Sequence, residues 1–266
     1  MTRMRRFGVS LFATAAVLLI LFAPLLSSVD PLEVNTDDQL APPGLAHPFG
    51  TDLLGRDVLG RFLHGGQRTL ATATASVALA ACCALILRLA ALAASRHGLG
   101  DDLLNIATQA LLAVPGLALA LTATTVVGRG DTAVVVAAGI TQIAPLLRTA
   151  YAAEQQARLT AYVEAARSLG ASPAHIWRWH IAPAMLPVTA AGLGNAFAQT
   201  ILVTSTLGFL GFGGEISAPE WGRMLYEGRQ VLRVAPWVSL APAFGITILI
   251  YFMNHLLRRL AVNPAE

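Results

Sequence analysis

Lysine is absent from the 266 residues, and all 18 basic side chains are arginines. A phosphate-binding P-loop needs a lysine after its glycines, in the pattern Gly-x-x-x-x-Gly-Lys-[Ser/Thr]. The chain therefore has no standard nucleotide site of its own. Chemistry that proceeds through a lysine Schiff base is excluded as well.

Charge and cysteine are also scarce. Charged residues make up 12% of the chain, whereas soluble domains carry about 25%. The two cysteines, Cys82 and Cys83, are adjacent within a hydrophobic run, so they predict neither a disulfide framework nor a zinc site. The sequence has no His-Glu-x-x-His pattern, no Gly-x-Ser-x-Gly elbow and no basic stripe interleaved with aromatic residues. We expect no metal site, no catalytic residues and no nucleic-acid partner.

Long uncharged runs fill most of the chain instead. A helix of about 20 apolar residues crosses a bilayer, and 55% of the residues are hydrophobic. We predict an all-α, polytopic integral membrane protein with six transmembrane helices, near residues 7–27, 69–94, 103–126, 132–151, 188–209 and 237–257. The arginine-rich start of the first run resembles a signal peptide, but the length of the run favours a retained span.

The arginines predict the orientation. Ten of them fall in segments that are cytosolic if the N-terminus is inside, and seven fall outside, which agrees with the positive-inside rule. We divide the chain into a cytosolic tail with the first span (1–28), an extracytoplasmic segment (29–68), a membrane core (69–257) and a cytosolic C-terminal tail (258–266). The core contains a cytosolic loop (154–187) and an outer loop (210–236).

One charge, Arg88, lies well inside a predicted span. A contact with substrate or lipid is one interpretation. Its position about two turns from the inner end favours another, in which the side chain snorkels to the headgroups. No Asp or Glu lies within the six predicted spans, which argues against a proton relay.

Residues 162–187, YVEAARSLGASPAHIWRWHIAPAMLP, predict a cytosolic helical hairpin. Its first arm ends at Gly170, at the position where a helix end favours a residue in the left-handed backbone conformation. Ser172 is placed to cap the second arm, with Pro173 in its first turn. We expect that arm to end at Pro183 and Pro187, where the next span begins.

The first arm of the hairpin has one apolar stripe, formed by Tyr162, Ala166 and Leu169. Short helices are marginal in water, so the stripe must pack on the spans or on another protein. A plain structural linker is the alternative.

A second amphipathic segment lies between the first two spans. Thr51 or Asp52 is placed to cap a helix from about 53 to 63 whose apolar face would lie flat on the outer bilayer surface. Asp52–Arg56 and Asp57–Arg61 are i, i+4 pairs on its polar face.

The hairpin pattern Glu164-Ala165-Ala166, then Gly170, then Ile181-Ala182-Pro183 resembles the EAA loop of ABC importer permeases. Ala182 stands where leucine is usual. Residues 47–70, 206–214 and 218–237 resemble the permeases for dipeptides, oligopeptides and nickel. Within that group the chain is similar to the second permease, which pairs with a longer sister permease.

The resemblance implies a type I ABC importer permease in a bacterial cytoplasmic membrane. Its partners would be the sister permease, two ABC ATPase subunits that bind ATP and Mg, and an extracytoplasmic solute-binding protein. The chain itself would bind no cofactor and catalyse no reaction. Peptides, nickel and metal–chelator complexes remain open as substrates. A stand-alone channel, a secondary carrier and an intramembrane enzyme are the alternatives.

The resemblance also implies two sets of site residues. The ATPase-coupling set is Glu164, Ala165, Ala166, Gly170, Ile181 and Pro183. The outer set, which would close the pathway or meet the binding protein, is Gly50, Thr51, Asp52, Gly55, Arg56, Asp57, Glu220, Trp221 and Gly222.

Overall fold

The computed structural model describes residues 30–94, 99–214 and 218–261, and most of these residues are helical. After a short 3-10 helix (Thr36–Asp38) come α1 (Val58–Ala94), α2 (Leu99–Leu112), α3 (Gly116–Val127), α4 (Asp131–Arg158), α5 (Ala161–Ser168), α6 (Pro173–Phe209), α7 (Trp221–Gly228) and α8 (Trp237–Ala261). The predicted all-α class is confirmed. The predicted first span, 7–27, lies outside the described residues.

Four of the described helices, α1, α4, α6 and α8, are long and apolar enough to cross a membrane. A fifth span is present if α2 and α3, which meet at a bend of 93°, are counted together. The third predicted span, 103–126, is therefore bent, and its two halves lie in α2 and α3. The break falls at Pro115, which has no amide hydrogen to donate and which disfavours helical geometry in the preceding residue.

Two ion pairs show that α2 and α3 together lead the chain from one end of the bundle to the other. Arg68 Nη2 of α1 lies 2.6 Å from Asp131 Oδ2 at the start of α4, and Arg88 Nη2 lies 2.8 Å from Glu154 Oε2 near its end. The helices α1 and α4 therefore run parallel, and about 20 residues of helix rise about 30 Å, the thickness of the hydrocarbon core. Residues 99–130 must return across that distance, so we count the α2–α3 pair as one span.

The second correction concerns the outer segment. Residues 53–57 are not part of a separate surface helix, because α1 begins at Val58 and continues without a break to Ala94. Asp57 ends the preceding turn, and its Oδ1 accepts a hydrogen bond from the amide of Gly60 at 2.7 Å. The amphipathic stretch is thus the outer end of the second predicted span.

The bundle has its main core at the outer end, the end that carries residues 30–57 and α7. Trp221 and Met224 of α7 are buried there against Val58 of α1, Ile201 of α6 and Leu249 of α8. Towards the opposite end, alanines such as those at 80 and 84 let α1 approach α4 closely. The outer loops are consequently packed into the bundle.

Candidate functional site

The hairpin (residues 161–187) has the turn that local chemistry predicts. Its first arm, α5, ends at Ser168, and Gly170 adopts φ +80°. Ser172 Oγ accepts a hydrogen bond from the amide of His175 at 3.3 Å, and Pro173 occupies the first turn of the second arm. The predicted C-terminal glycine and N-terminal cap are both confirmed.

The hairpin also has a small core of its own, which the sequence did not predict. Val163 and Ile176, one from each arm, pack with Ala157 of α4 and Ile181, and all four are buried. Of the predicted stripe, Ala166 packs against this core, whereas Tyr162 and Leu169 are exposed and do not pack on the spans, which leaves packing on another protein for these two. The inward face of α5 therefore runs through Val163 and Ala166.

Most of the predicted coupling residues lie together on the outward face of this hairpin. Glu164, Ala165 and Gly170 are exposed, and Leu169 between them is 88% exposed. A Cβ built on Gly170 would meet nothing within 4 Å. Ala166 is half-buried, Ile181 is buried and Pro183 is exposed. The result is an uncovered surface of small and apolar side chains that also carries Glu164 and Arg167.

The second arm does not end at Pro183 or Pro187, as predicted, because it is the first part of the continuous helix α6. Within α6 lies a π-helical turn, Trp177–Ile181, and the amide of Ala182 donates to the carbonyl of Trp177. Because the turn has already shifted the hydrogen-bond register, the missing amide of Pro183 does not stop the helix. The hairpin and the span α6 are therefore one continuous element.

At the outer end, four charged residues form a buried ion cluster. Arg56 Nε lies 2.8 Å from Asp52 Oδ2, and Arg56 Nη2 lies 2.9 Å from Glu227 Oε2 of α7. Arg61 Nη1 bonds to Asp52 and also lies 2.9 Å from Glu227 Oε2. The Asp52–Arg56 pair is as predicted. The prediction that these charges lie on a polar face open to solvent is wrong, since Arg61 is 0% exposed. The cluster fastens the outer segment to α7.

The remaining outer residues before α1 hold a tight turn in place. Gly50 and Gly55 have φ values of +71° and +73°, and a Cβ on Gly55 would lie 1.6 Å from the carbonyl oxygen of Asn35. Thr51 Oγ1 accepts a hydrogen bond from the amide of Ala41 at 2.8 Å. Asp57 Oδ2 lies 2.9 Å from Nδ1 of His47. The predicted outer residues thus lie together in a packed turn that contacts α7 and α8.

The outer set continues at the start of α7. Glu220 caps this helix, and its Oε1 and Oε2 accept hydrogen bonds from the amides of Gly222 at 2.9 Å and Arg223 at 3.0 Å. Burial against Gly208 raises the pKa of Glu220 to about 6, although the two amide donors oppose the shift. Trp221 is fully buried, and its Nε1 donates to the carbonyl of Phe62 at 2.8 Å.

The raised pKa of Glu220 predicts a pH dependence of stability. Since the folded state binds this proton more tightly than an ordinary carboxyl of pKa 4.5 does, the stabilisation is complete below pH 4.5 and is lost as the pH rises through about 6. We expect the loss to be about 1–2 kcal/mol, measured by SDS titration in detergent micelles between pH 4.5 and 7.

Glu220→Gln removes the titrating group and should flatten that profile. The matched control is Glu33→Gln, because Glu33 is an exposed acid in the same outer segment and its removal should leave the pH profile unchanged. A Glu220→Gln profile as steep as the wild-type one would contradict the assignment.

Comparison with known proteins identifies the family. A family model described as "Binding-protein-dependent transport system inner membrane component" matches residues 86–263. The chain belongs to this family. It is a membrane-spanning permease component of the inner membrane, and the prediction from the hairpin and outer motifs is confirmed at that level. The family gives no support to the alternative of an intramembrane enzyme.

Individual relatives cover most of the permease. It is 31% identical to the dipeptide transport system permease protein DppC of Alkalihalophilus pseudofirmus, over 91% of this chain and 79% of the relative. It is 32% identical to the peptide transport system permease protein SapC of Escherichia coli O6:H1, over 77% and 69%. An inward-facing structure of the MetNI methionine ABC transporter shares the fold, with a TM-score of 0.59 at 19% identity over 76% of this chain and 94% of that one.

The sequence interpretation singled out Arg88 in the permease but missed the partners of its charge. Arg88 does not snorkel to the headgroups. It bonds instead to Glu154 of α4 at 2.8 Å and to Asp101 of α2. The predicted fourth span ended at residue 151, but α4 continues to Arg158 and so includes Glu154. A partner was to be expected for an arginine so far inside a span, since charges within the membrane usually pair. In the described residues, no group of His, Cys, Asp and Glu could hold a metal ion.

Proposed function

We propose that this chain is the permease subunit of an ATP-driven peptide importer and that the hairpin docks on an ATPase subunit at the cytosolic face. The observation that carries the proposal is the outward face of the hairpin. Tyr162 and Leu169 are exposed by 46% and 88% on this short helical hairpin, and Leu159, at the end of α4 just before it, is 87% exposed. An apolar patch left uncovered on a folded element marks an interaction site.

The composition of this face suits close helix packing. Ala165 is exposed beside Glu164, and Gly170 leaves the space beyond the turn open. Small side chains let a partner backbone approach, and a carboxylate at the rim can accept a charge-assisted hydrogen bond. The small hydrophobic core between the arms holds the exposed face in one conformation. Docking would therefore cost little conformational entropy in the hairpin.

The rest of the assembly follows from the same proposal. A sister permease would complete the translocation pathway, and an extracytoplasmic solute-binding protein would deliver substrate to the outer segment and α7. ATP and Mg would be bound by the two ATPase subunits. With no lysine for a P-loop, this chain would contribute coupling and pathway walls without hydrolysing ATP.

We propose small peptides as the substrate class. The two relatives named above are described as dipeptide and peptide transport permeases, and this supports peptides over nickel or metal–chelator complexes. Calorimetry on the partner binding protein tests the choice. Binding of di- to pentapeptides at micromolar concentration is expected, and binding of nickel salts or nickel–histidine without peptide would overturn it.

The docking proposal predicts a pattern of cross-links. After Cys82 and Cys83 are replaced by Ala, single cysteines at positions 161–172 are tested in membranes against cysteines in the groove of the ATPase. We expect the strongest bonds from Ala165 and Leu169, which are exposed and one helical turn apart.

Val163 provides the matched control, because it lies on the same helix but is 0% exposed. A cysteine there should give at most a tenth of the product seen at Ala165. If Ala165 and Leu169 cross-link only within their own chain, the hairpin is a structural linker and the coupling proposal fails.

A further inference from the structure

Glu154 is the most enclosed carboxylate near the hairpin end of the bundle. The residue is 3% exposed, and both oxygens are engaged. Oε2 accepts from Arg88 Nη2 at 2.8 Å, and Oε1 accepts from Arg158 Nη2 at 2.6 Å and from Nε at 3.1 Å. The pair with Arg158 lies within α4, whereas the pair with Arg88 joins α4 to α1. Arg88 also bonds to Asp101 in the first turn of α2.

One arginine therefore connects three helices. The four side chains, two arginines and two carboxylates, carry no net charge. Glu154 is buried, whereas the side chains of Asp101 and Arg158 are 35% and 40% exposed. Arg88 lies in addition over the ring of Tyr151, 5.7 Å from its centre. This arrangement fixes the positions of the ends of α1, α2 and α4 relative to one another.

The cluster lies at the root of the hairpin. Ala157, one turn after Glu154 on α4, belongs to the hairpin core with Val163, Ile176 and Ile181. A displacement of the hairpin thus reaches the last turn of α4 through this core, and it reaches α6 directly, because the second arm is part of α6. From there Glu154 is the nearest side chain that bonds to another span.

Direct packing between the second arm and α1 is interrupted at the same level. A largely apolar cavity of about 310 Å³ lies there, with Leu89 and Leu92 of α1 on one side and Trp177 and Met185 of α6 on the other. Arg88 and Glu154 line it too. The hairpin arms pack on α4 and on each other, and the ion pair bridges to α1 beside the cavity.

We propose that Arg88 and Glu154 are positioning residues for the coupling step: they tie the root of the hairpin to α1 and α2, so that hairpin movement driven by the ATPase moves these spans with α4. The inference rests on the proposed function. A ligand can shift a conformational equilibrium only through contacts that differ between the two states. In this proposal, the Arg88–Glu154 pair transmits a displacement of the hairpin to α1 and α2.

The experiment measures ATP hydrolysed per substrate transported, in proteoliposomes that contain the complete transporter. We expect Glu154→Gln to raise this ratio about tenfold, because hydrolysis continues while transport falls. The matched control is Arg158→Gln. It removes a partner of the same carboxylate, but one on the same helix, so the ratio should stay within about twofold of wild type.

A second variant separates positioning from stability. Glu154→Gln leaves the half-buried Arg88 with Asp101 as its one carboxylate partner, whereas Arg88→Met/Glu154→Gln removes both charges of the pair and keeps their volume. The double variant should insert and assemble normally yet remain uncoupled about tenfold. A double variant that assembles and keeps the wild-type ratio would show that the pair only stabilises the fold.

A cysteine at Ala165, cross-linked to the ATPase, is measured in every sample. Cross-linking with an unchanged ratio in Glu154→Gln and in the double variant overturns this inference and leaves the proposed function standing. Absence of the cross-link in the wild-type background overturns the proposed function itself.

Discussion

Asp52→Ala should destabilise the permease by about 3–5 kcal/mol, the largest effect we expect from a single charge. The carboxylate of Asp52 bonds to both Arg56 and Arg61, and Arg61 is 0% exposed. Among the described residues, Arg61 Nε and Nη2 already have no hydrogen-bond partner. Without Asp52, Glu227 would be the only carboxylate bonded to the two guanidinium groups.

SDS titration in detergent micelles measures this change, and Asp37→Ala is the matched control. Asp37 is an exposed acid of the same outer segment, and its removal should cost at most about 0.5 kcal/mol. A loss of less than 1 kcal/mol in Asp52→Ala would mean that water or another residue takes over the role of the carboxylate, and that the outer segment is not held to α7 by this cluster.

Gly222→Ala should disrupt the contact between α7 and α6. A Cβ at Gly222 would lie 2.1 Å from the carbonyl oxygen of Ser205, and the obstructing atoms are backbone. A helix cannot yield as a flexible side chain would, so α7 has to move outward with the buried Trp221. We expect a cost of about 3 kcal/mol, at the upper end for overpacking, and loss of the Trp221 Nε1 hydrogen bond to Phe62.

Gly116→Ala is the control for this substitution. Gly116 begins the helix α3, and a Cβ there would lie 3.9 Å from the nearest atom, on Thr141. Replacing glycine by alanine in a helix without a clash raises stability by up to about 1 kcal/mol. Opposite signs for the two glycines are therefore expected in the same unfolding assay, and a stabilising Gly222→Ala would exclude the close approach of α7 to α6.

The features that sequence reasoning predicted correctly depend on neighbouring residues. The turn at Gly170, the cap at Ser172 and the Asp52–Arg56 pair each involve groups at most four residues apart. Turn and cap preferences act over that range whatever the rest of the chain does. Apolar run length predicted α1, α4, α6 and α8 for a similar reason, since the bilayer sets a minimum length on a spanning helix.

The two side-chain burials that were predicted wrongly depend on residues far apart in the chain. Arg61 bonds to Glu227, which is 166 residues away in the chain, and Arg88 bonds to Glu154, which is 66 residues away. The packing of the helices that carry these partners decides whether each arginine faces water or headgroups instead. A periodic pattern gives the faces of a helix but not what covers each of them. The sequence alone therefore determined the membrane class, the hairpin turn and the family motifs. Only the tertiary structure decided which charges are buried and which hairpin face remains open, because burial is a property of packed helices and not of any one segment.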